Sequence, residues 1–261
     1  MVNFPVKAKK PNEISVMGYR VFSDRLNRIP IRSQKPRTVN TISPNSYGLA
    51  AKNPSLEWAL GSSDYLVLDG VYFALASLLL RGKNICRNQG PDVFHHFMER
   101  LNQMGGSAFF LGSSQATLYL IKRNAAIRYP HVKVFTYPPP FVAEFSKQDD
   151  EKMINAINQV RPDIVFIGMT CPKQEIWAVR NVNRLQTGLV IGIGNVFDWF
   201  AGTQRSIHPV WFTLRLGWLV RIFLRPEIFR RNIGNQLIFF YHLLLVFIGL
   251  KPEPAFVTSK N

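Results

Sequence analysis

Residues 163–177 read "DIVFIGMTCPKQEIW" and join an apolar, β-branched run to the start of an amphipathic segment. The run has the length and composition of a buried strand, and the segment from Pro172 onward has helical spacing. Loops at the carboxyl ends of parallel strands commonly carry ligand-binding residues. This stretch therefore predicts a strand–loop–helix unit of an α/β domain, with functional residues in its loop.

The same alternation continues on both sides of this unit. Strand composition occurs in "ISVMGYRVF", "DYLVLDG", "GSAFFLGS", "HVKVFTY" and the longer "GLVIGIGNVFDWFAG". Helical spacing occurs in "SYGLAAKNPSLEWAL", "GPDVFHHFMERLNQM", "QATLYLIKRNAAIRY" and "DDEKMINAINQV". Strands that alternate with helices of this length form βαβ crossovers. We predict a Rossmann-like, doubly wound, mostly parallel sheet in an α/β core of residues 1–208.

The residues from 209 onward differ in composition and pattern from the preceding part of the chain. Arginines alternate with large aromatic and aliphatic residues, and no strand pattern appears. We predict a C-terminal helical appendage of residues 209–261. Its last apolar stretch, residues 237–250, is shorter than the ~20 residues of a spanning helix, so it is expected to be interfacial or buried. The mixture of arginine and apolar residues favours docking on an anionic membrane. A core helix or an oligomer interface is the alternative.

The charge balance is strongly basic, with 32 Lys and Arg against 16 Asp and Glu. This excess predicts an anionic partner, and the charge alone leaves three alternatives open: a nucleic acid, a bilayer face or a phosphorylated ligand. The two cysteines, Cys86 and Cys171, are far apart and match neither a zinc site nor a disulfide framework. The N-terminus has no apolar signal-peptide core, so we place the protein in the cytoplasm.

Several polar residues lie at the predicted strand ends. Asp69 closes "YLVLD" and is either a turn residue or a general base. Ser43 and Asn45 precede a helical pattern, where a helix cap is the simplest interpretation. Gly112 and Ser113 separate a strand from a helix, a geometry that suits either a phosphate or an ordinary turn.

In the opening stretch, Pro172 and Glu175 fit the first turn of a helix, whereas Lys173 and Gln174 are expected to remain free to meet an anion or a sugar. Residues 192–197, "GIGNVF", are only a fragment of a dinucleotide-binding fingerprint. No phosphate-binding loop of the Walker type and no metal-ligand spacing occurs. We therefore predict no cofactor and no metal.

Two blocks in this order, "CPKQEIW" and "GIGNVFDWFAGTQRSIHP", resemble the paired motif of the WecG/TagA/CpsF family of bacterial glycosyltransferases. The resemblance extends to "SPNSYGLAAKNPSLEWALGSSDYLVLDG", "QGPDVF" and "FFLGSS", and so spans about residues 15–231. Members of that family transfer a sugar, with inversion, from a UDP-sugar to a polyprenyl-diphosphate-linked acceptor in cell-wall or surface polysaccharide synthesis. They are thought to use no metal. The resemblance implies the same activity here.

Carried over by position, the resemblance makes Asp69 the candidate general base, while Ser43 and Asn45 fall on the family's Thr-Pro-Asn motif. Serine replaces threonine at this position, and Gly217 stands where the family commonly has glutamate. The implied catalytic residues are Asp69 and Arg221. The candidate substrate-binding residues are Ser43, Asn45, Gly112, Ser113, Lys173, Gln174, Gly194, Asp198 and the looser match Arg231.

The residue chemistry agrees with such a transfer, because a strand-end carboxylate can accept the proton of an acceptor hydroxyl. Helix N-termini and arginines can stabilise the leaving diphosphate. The expected partners are a UDP-sugar, a polyprenyl-diphosphate-linked acceptor and the inner face of the cytoplasmic membrane, to which the protein binds peripherally. A homo-oligomer is compatible with the sequence. A basic nucleic-acid-binding protein and an inactive membrane-associated scaffold are the alternatives, although no nucleic-acid motif is present.

Overall fold

The computed structural model describes residues 12–69, 71–83, 85, 88–204 and 226–254. Its main sheet consists of β3 (Arg37–Ile42), β4 (Tyr65–Leu68), β5 (Ser107–Gly112), β6 (Lys133–Tyr137), β7 (Ile164–Gly168) and β8 (Leu189–Gly192). These six strands are all parallel and follow the order β4-β3-β8-β7-β5-β6. The prediction of a Rossmann-like α/β fold is confirmed.

Helices connect these strands and cover the sheet. They are α1 (Pro44–Ala50), α2 (Pro54–Gly61), α3 (Val71–Arg81), α4 (Gly90–Met104), α5 (Gln115–Arg128), α6 (Lys147–Val160), α7 (Lys173–Asn181), α8 (Val196–Ala201) and α9 (Pro226–Phe247). Short 3-10 turns lie at Leu26–Arg28 and Val182–Arg184. Local signals set their ends: Ser146 and Asp149 form a capping box at the start of α6, and Gly105 ends α4 in a left-handed conformation.

The central strands are buried on both faces, as expected for a parallel sheet covered by helices. Successive side chains of β5 illustrate this, because Phe109 packs into one apolar cluster with Trp177 while Phe110 packs into another with Phe94. Every strand of the sheet runs in the same direction. All of the loops that follow the strands therefore emerge at one carboxyl edge.

Two stretches predicted as single elements are each divided by a turn. Residues 14–22 form a hairpin, β1 (Glu13–Val16) and β2 (Tyr19–Phe22), because Met17 and Gly18 both adopt positive φ. Residues 46–60 form two helices rather than one, because Asn53 caps α2 through a 3.1 Å bond from the Leu56 N–H to Asn53 Oδ1.

The predicted long strand of residues 188–202 was wrong in its second half, where Gly194 adopts positive φ and the chain enters α8. Helix α3 was not predicted from the sequence at all. Its composition is apolar on several faces, so no amphipathic period marks it.

The C-terminal helix α9 has 22 residues and packs against α1. Phe239 is fully buried and Leu243 nearly so, and this face of the helix is part of the core, as the alternative interpretation of the appendage held. Among the residues that the structure describes, no helix is long and apolar enough to cross a membrane. The predicted boundary between residues 208 and 209 lies outside the described ranges.

Candidate functional site

The carboxyl edge of the sheet collects most of the residues predicted for the site. Asp69 follows β4, Ser43 follows β3, Gly194 follows β8, Gln174 follows β7 and Ser113 follows β5. These five strands are consecutive neighbours in the sheet. Since adjacent strands lie about 4.8 Å apart, the predicted residues form one continuous row across the top of the sheet.

Asp69 lies beside the start of α1. The register of the two edge strands pairs Ile42 with Leu68, and the Asp69 N–H donates to the Ile42 carbonyl over 2.9 Å. Ser43, the residue after Ile42, therefore stands next to Asp69 at the strand ends. Asp69 is half-buried, and this backbone bond fixes its main chain at the end of the strand.

Ser43 is the N-cap of α1, as the simplest interpretation of the sequence held. Its Oγ accepts from the Ser46 N–H over 3.3 Å, and the Ser46 hydroxyl accepts from the Ser43 N–H over 2.8 Å. Asn45 lies in the first turn of the same helix. Its Oδ1 accepts from the Nδ2 of Asn235 on α9 over 3.2 Å. The cap thus fixes the position of Asn45 relative to Asp69.

Gln174 is buried, so the expectation that its amide remains free is wrong. Its Oε1 accepts from the Gly194 N–H over 2.9 Å, and its Nε2 donates to Glu175 Oε1 over 2.8 Å. The amide therefore joins the loop after β7 to the loop after β8. Gly192 leaves room for the Gln174 side chain, since a β-carbon there would lie 3.4 Å from Gln174 Cδ and 2.8 Å from Asn40 Oδ1.

Glu175 lies in the first turn of α7, as predicted, but it is buried rather than solvated. Burial raises the pKa of its carboxyl group, and the bond from Gln174 only partly opposes this rise. Burial, together with the neighbouring Glu175, also raises the pKa of the Cys171 thiol. The loop after β7 is thus held by a buried polar cluster in which the pKa values of both acidic groups are raised.

Lys173 is also engaged, contrary to the expectation that it remains free. Its Nζ donates to the backbone carbonyl of Val142 and lies 4.6 Å from the centroid of the Phe145 ring. These contacts attach the proline-containing loop after β6 to the start of α7. The observed role of Lys173 is to connect two loops, and its predicted contact with substrate stays a prediction.

The turn after β5 is tight. Gly112 has a φ of 132°, and a β-carbon there would lie 2.4 Å from the Gly168 carbonyl oxygen, so only glycine fits. Ser113 also has positive φ, and Ser114 caps α5 by accepting from the Thr117 N–H over 3.2 Å. The turn chemistry is established, while anion binding at Gly112 and Ser113 remains a prediction.

Three predicted residues remain, which are Asp198, Arg231 and Arg221. Asp198 accepts from Thr203 Oγ1 over 3.2 Å and from Gln204 Nε2 over 3.1 Å, and so closes the end of α8. Arg231 is exposed on α9, one helical turn before Asn235. Arg221 lies outside the described residues.

Two buried polar residues near this edge were missed. Asn40 lies within β3, and its Oδ1 has no hydrogen-bond donor among the described residues. Asn88 donates its backbone N–H to the Leu68 carbonyl, beside Asp69, and its Nδ2 has no acceptor in the described part of the chain. An asparagine inside the apolar run "TVNTI" was the signal available for Asn40. Within the described ranges, no cluster of three or more His, Cys, Asp or Glu residues could hold a metal ion.

Comparison with known proteins gives relatives that carry one name, N-acetylglucosaminyldiphosphoundecaprenol N-acetyl-beta-D-mannosaminyltransferase. The Bacillus spizizenii protein is 24% identical over 217 residues, which cover 82% of this chain and 81% of the relative. The Bacillus subtilis protein is 25% identical over 213 residues, with the same coverage. The Staphylococcus aureus protein is 23% identical over 181 residues, or 69% of each chain.

The family model described as "Glycosyl transferase WecG/TagA/CpsF family" matches residues 13–252. This match covers nearly the whole chain, including the hairpin, the sheet and α9. It confirms the resemblance on which the sequence motifs depended. The chain belongs to the WecG/TagA/CpsF family of glycosyltransferases.

Proposed function

We propose that this protein transfers a sugar, with inversion, from a UDP-sugar to a polyprenyl-diphosphate-linked saccharide in cell-wall or surface polysaccharide synthesis. The relatives' shared name favours an N-acetylmannosaminyl donor and an N-acetylglucosaminyl-diphosphoundecaprenol acceptor. The structural observation that supports the proposal most directly is the placement of Asp69 beside Ser43 at the ends of β4 and β3. Ligands of open parallel sheets bind at this edge.

In the proposed mechanism Asp69 is the general base. Its carboxylate accepts the proton of the acceptor hydroxyl while that oxygen attacks the anomeric carbon of the donor sugar. The new carbon–oxygen bond forms on the face opposite the diphosphate. The bond from the anomeric carbon to the diphosphate breaks at the same time, and UDP leaves with the electron pair.

The leaving diphosphate gains negative charge and needs donors that are already oriented. The loop after β5 provides backbone N–H groups at the start of α5. Arg221 is the proposed cationic partner, because a guanidinium group can bind two phosphate oxygens together. Asn45 and Gln174 define the walls of the proposed donor site, Asn45 by facing it and Gln174 by holding the Gly194 loop.

The proposed acceptor is a membrane lipid, and one surface of the protein suits a bilayer. Large apolar side chains are exposed on α3 and on the outer face of α9, including Leu78 at 48% and Leu244 at 54%. We call this the α3–α9 surface; its exposed members are Leu75, Leu78, Leu79, Leu237, Phe240, Tyr241, Leu244 and Phe247. Helix α3 begins at Val71, two positions after Asp69 in the sequence, so the surface adjoins the proposed site.

We assign the bilayer to this surface because cations accompany its apolar residues. Arg230 and Arg231 are exposed in the second turn of α9, and Lys251 is exposed beyond its end. Each cation near an anionic membrane contributes on the order of 1 kcal/mol, and the apolar side chains add burial in the interface. The protein would then be peripheral on the inner face of the cytoplasmic membrane, next to its lipid-linked acceptor.

The proposal is tested by a transfer assay with the full-length protein, a panel of UDP-sugars and a short-chain lipid-diphosphate-N-acetylglucosamine acceptor. We expect one UDP-sugar to give a disaccharide whose anomeric configuration, read by NMR, is opposite to that of the donor. Retention of configuration would refute the inverting mechanism. Failure with every donor would refute the transfer itself and favour an inactive scaffold, and a salt-sensitive gel shift with DNA or RNA would favour a nucleic-acid-binding protein.

A further inference from the structure

Three polar side chains form a hydrogen-bonded series between α9 and the start of α1. The Lys52 ammonium group donates to Asn235 Oδ1 over 3.3 Å, and Asn235 Nδ2 donates to Asn45 Oδ1 over 3.2 Å. An ammonium group has donors only, so Asn235 must turn its oxygen toward Lys52 and its nitrogen toward Asn45. The orientation of each amide thus follows from the charge at the end of the series.

The same reasoning determines the orientation of the Asn45 amide, at the other end of the series. Because the Asn45 oxygen is used by Asn235, the Asn45 amide nitrogen points away from α9. Within the described part of the chain this nitrogen donates to no protein acceptor. It lies in the first turn of α1, two residues after Ser43, at the edge of the sheet that holds Asp69.

We propose that Asn235 is a positioning residue, which fixes Asn45 as a hydrogen-bond donor toward an oxygen of a nucleoside-diphosphate sugar. This inference rests on the proposed function, since it gives a role to a residue of the same site. A donor held in one orientation suits a phosphate or sugar oxygen whose negative charge increases as UDP departs. Free rotation of the Asn45 amide would offer the oxygen and the nitrogen about equally.

The backbone around Asn235 is rigid enough to hold such an orientation. A β-carbon on Gly48 would lie 1.9 Å from the Asn235 carbonyl oxygen, so α1 and α9 meet backbone to backbone. A second polar contact lies further along, where the Tyr47 hydroxyl is 3.1 Å from His242 Nδ1. The Tyr47 ring also packs edge-on against Phe239, with 5.4 Å between the ring centroids. Asn235 therefore cannot move away from Asn45 without separating the helices.

Two substitutions separate a positioning role from a structural one. Asn235→Asp keeps the size of the side chain and its contact with Lys52, but a carboxylate can only accept. Asn45 must then turn its nitrogen toward residue 235 and its oxygen toward the substrate. Asn235→Ala removes the contact and leaves the Asn45 amide free to rotate. A positioning role makes Asn235→Asp the more harmful to turnover, whereas a structural role makes Asn235→Ala the more harmful.

The experiment measures kcat, the donor KM and the Tm of the full-length protein and these variants. We expect Asn235→Asp to lower kcat by roughly tenfold to hundredfold, as for loss of one oriented donor, with a near-normal Tm. Asn235→Ala should lower kcat less. Gln236→Glu makes the same charge change one residue away, outside the series, and should keep kcat. The inference is overturned if Asn235→Asp retains normal kcat, or if Gln236→Glu loses as much.

A second readout needs no turnover. The side-chain amide protons of Asn45, assigned by their absence in Asn45→Asp, should shift clearly in the NMR spectrum of Asn235→Asp and stay in place in Gln236→Glu. Unshifted Asn45 protons in Asn235→Asp would overturn the inference even if transfer is observed. Clear shifts in a protein that transfers no sugar would instead support the series and refute the proposed function.

Discussion

A β-carbon on Gly48 would fall 1.9 Å from the backbone carbonyl oxygen of Asn235, so the backbones of α1 and α9 are in contact at this glycine. Gly48→Ala should force the two helices apart, because the contact is with backbone and not with a flexible side chain. We expect the free energy of unfolding to fall by about 1–3 kcal/mol, the usual range for overpacking. Sugar transfer should fall with it, since Asn45 loses its partner. Denaturant unfolding and the transfer assay measure both effects.

Gly234→Ala is the matched control for this prediction. A β-carbon on Gly234 would meet nothing within 4 Å, although the residue neighbours Asn235 in the same helix. Alanine in an open helix position should raise the stability by about 0.5–1 kcal/mol. Equal effects of the two substitutions would show that helix propensity, not the contact with α1, determines the result at residue 48.

The Gln174 amide supports a second prediction. Gln174→Ala removes the amide donor to Glu175 Oε1 and one of two acceptors of the Gly194 N–H, the other being Ile167 O at 3.2 Å. We expect a loss of about 1–3 kcal/mol in unfolding free energy, as for an unsatisfied buried group, together with a higher donor KM. Gln148→Ala, at an exposed position of α6, serves as the control. A normal donor KM for Gln174→Ala would show that the Gly194 loop does not contribute to binding of the donor.

Gln174→Glu should make the stability of the folded protein depend on pH through the same cluster. It places a second carboxyl group against Glu175, whose pKa burial already raises. A group with a raised pKa in the folded state stabilises the fold below its unfolded pKa and loses that contribution as the pH rises. We therefore expect Gln174→Glu to be more stable near pH 5 than near pH 8, relative to the unsubstituted protein. Thermal unfolding at the two pH values provides the measurement, and the opposite order would contradict the raised pKa of the buried Glu175.

Asp69 is the residue on which the proposed mechanism depends most. Asp69→Asn should fold normally, since the Asp69 N–H bond to Ile42 is made by the backbone. Its transfer rate should fall by about 10²- to 10⁴-fold, the usual effect of removing a general base. Circular dichroism and the Tm check the fold, and single-turnover assays check the rate. Near-normal turnover by a folded Asp69→Asn protein would eliminate Asp69 as the base.

The α3–α9 surface predicts binding to lipid. A double substitution, Leu78→Glu and Leu244→Glu, should reduce sedimentation with anionic vesicles by at least about tenfold, since each leucine contributes roughly 1.5–3 kcal/mol when buried. Ile127→Glu changes an apolar residue that is 77% exposed on α5, away from this surface, and should bind normally. Unchanged vesicle binding by the double variant would refute the docking role. A shift from dimer to monomer in the same variant would assign the surface to a second copy of the chain.

Acidification should lower the stability of the fold, because three histidines bind protons less readily in the folded protein than in the unfolded chain. Burial lowers the pKa of His95, His96 and His242, with further lowering by Arg128, Arg100 and Lys251 respectively. The folded protein therefore binds fewer protons than the unfolded chain once the pH falls below about 6.5. We expect Tm to be nearly constant from pH 8 to 7 and to decrease between about pH 6.5 and 5. A Tm that rises on acidification across this interval would contradict these shifts.

The sequence predicted the sheet well because parallel strands buried on both faces appear as continuous apolar runs, such as Ile164–Gly168. It also placed Asp69, Ser43 and Gln174 at strand ends. The partners of Gln174 and Lys173 could not be predicted, since they are distant in sequence. Gln174 binds a residue 20 positions away, and Lys173 binds one 31 positions away. Helix α3 was missed because apolar residues lie on several of its faces, so its sequence shows no amphipathic period.

The pairing of Asn45 with Asn235 has a consequence for biosynthesis. The two residues are 190 positions apart, and at about 5–20 residues per second the ribosome needs roughly 10–40 s to pass from one to the other. During that interval the nascent α1 carries Tyr47 without the ring of Phe239 that later covers it. The residues that pack against the first helix are thus synthesised late, and a nascent chain that stalls before α9 would contain Asn45 without Asn235, its hydrogen-bond partner.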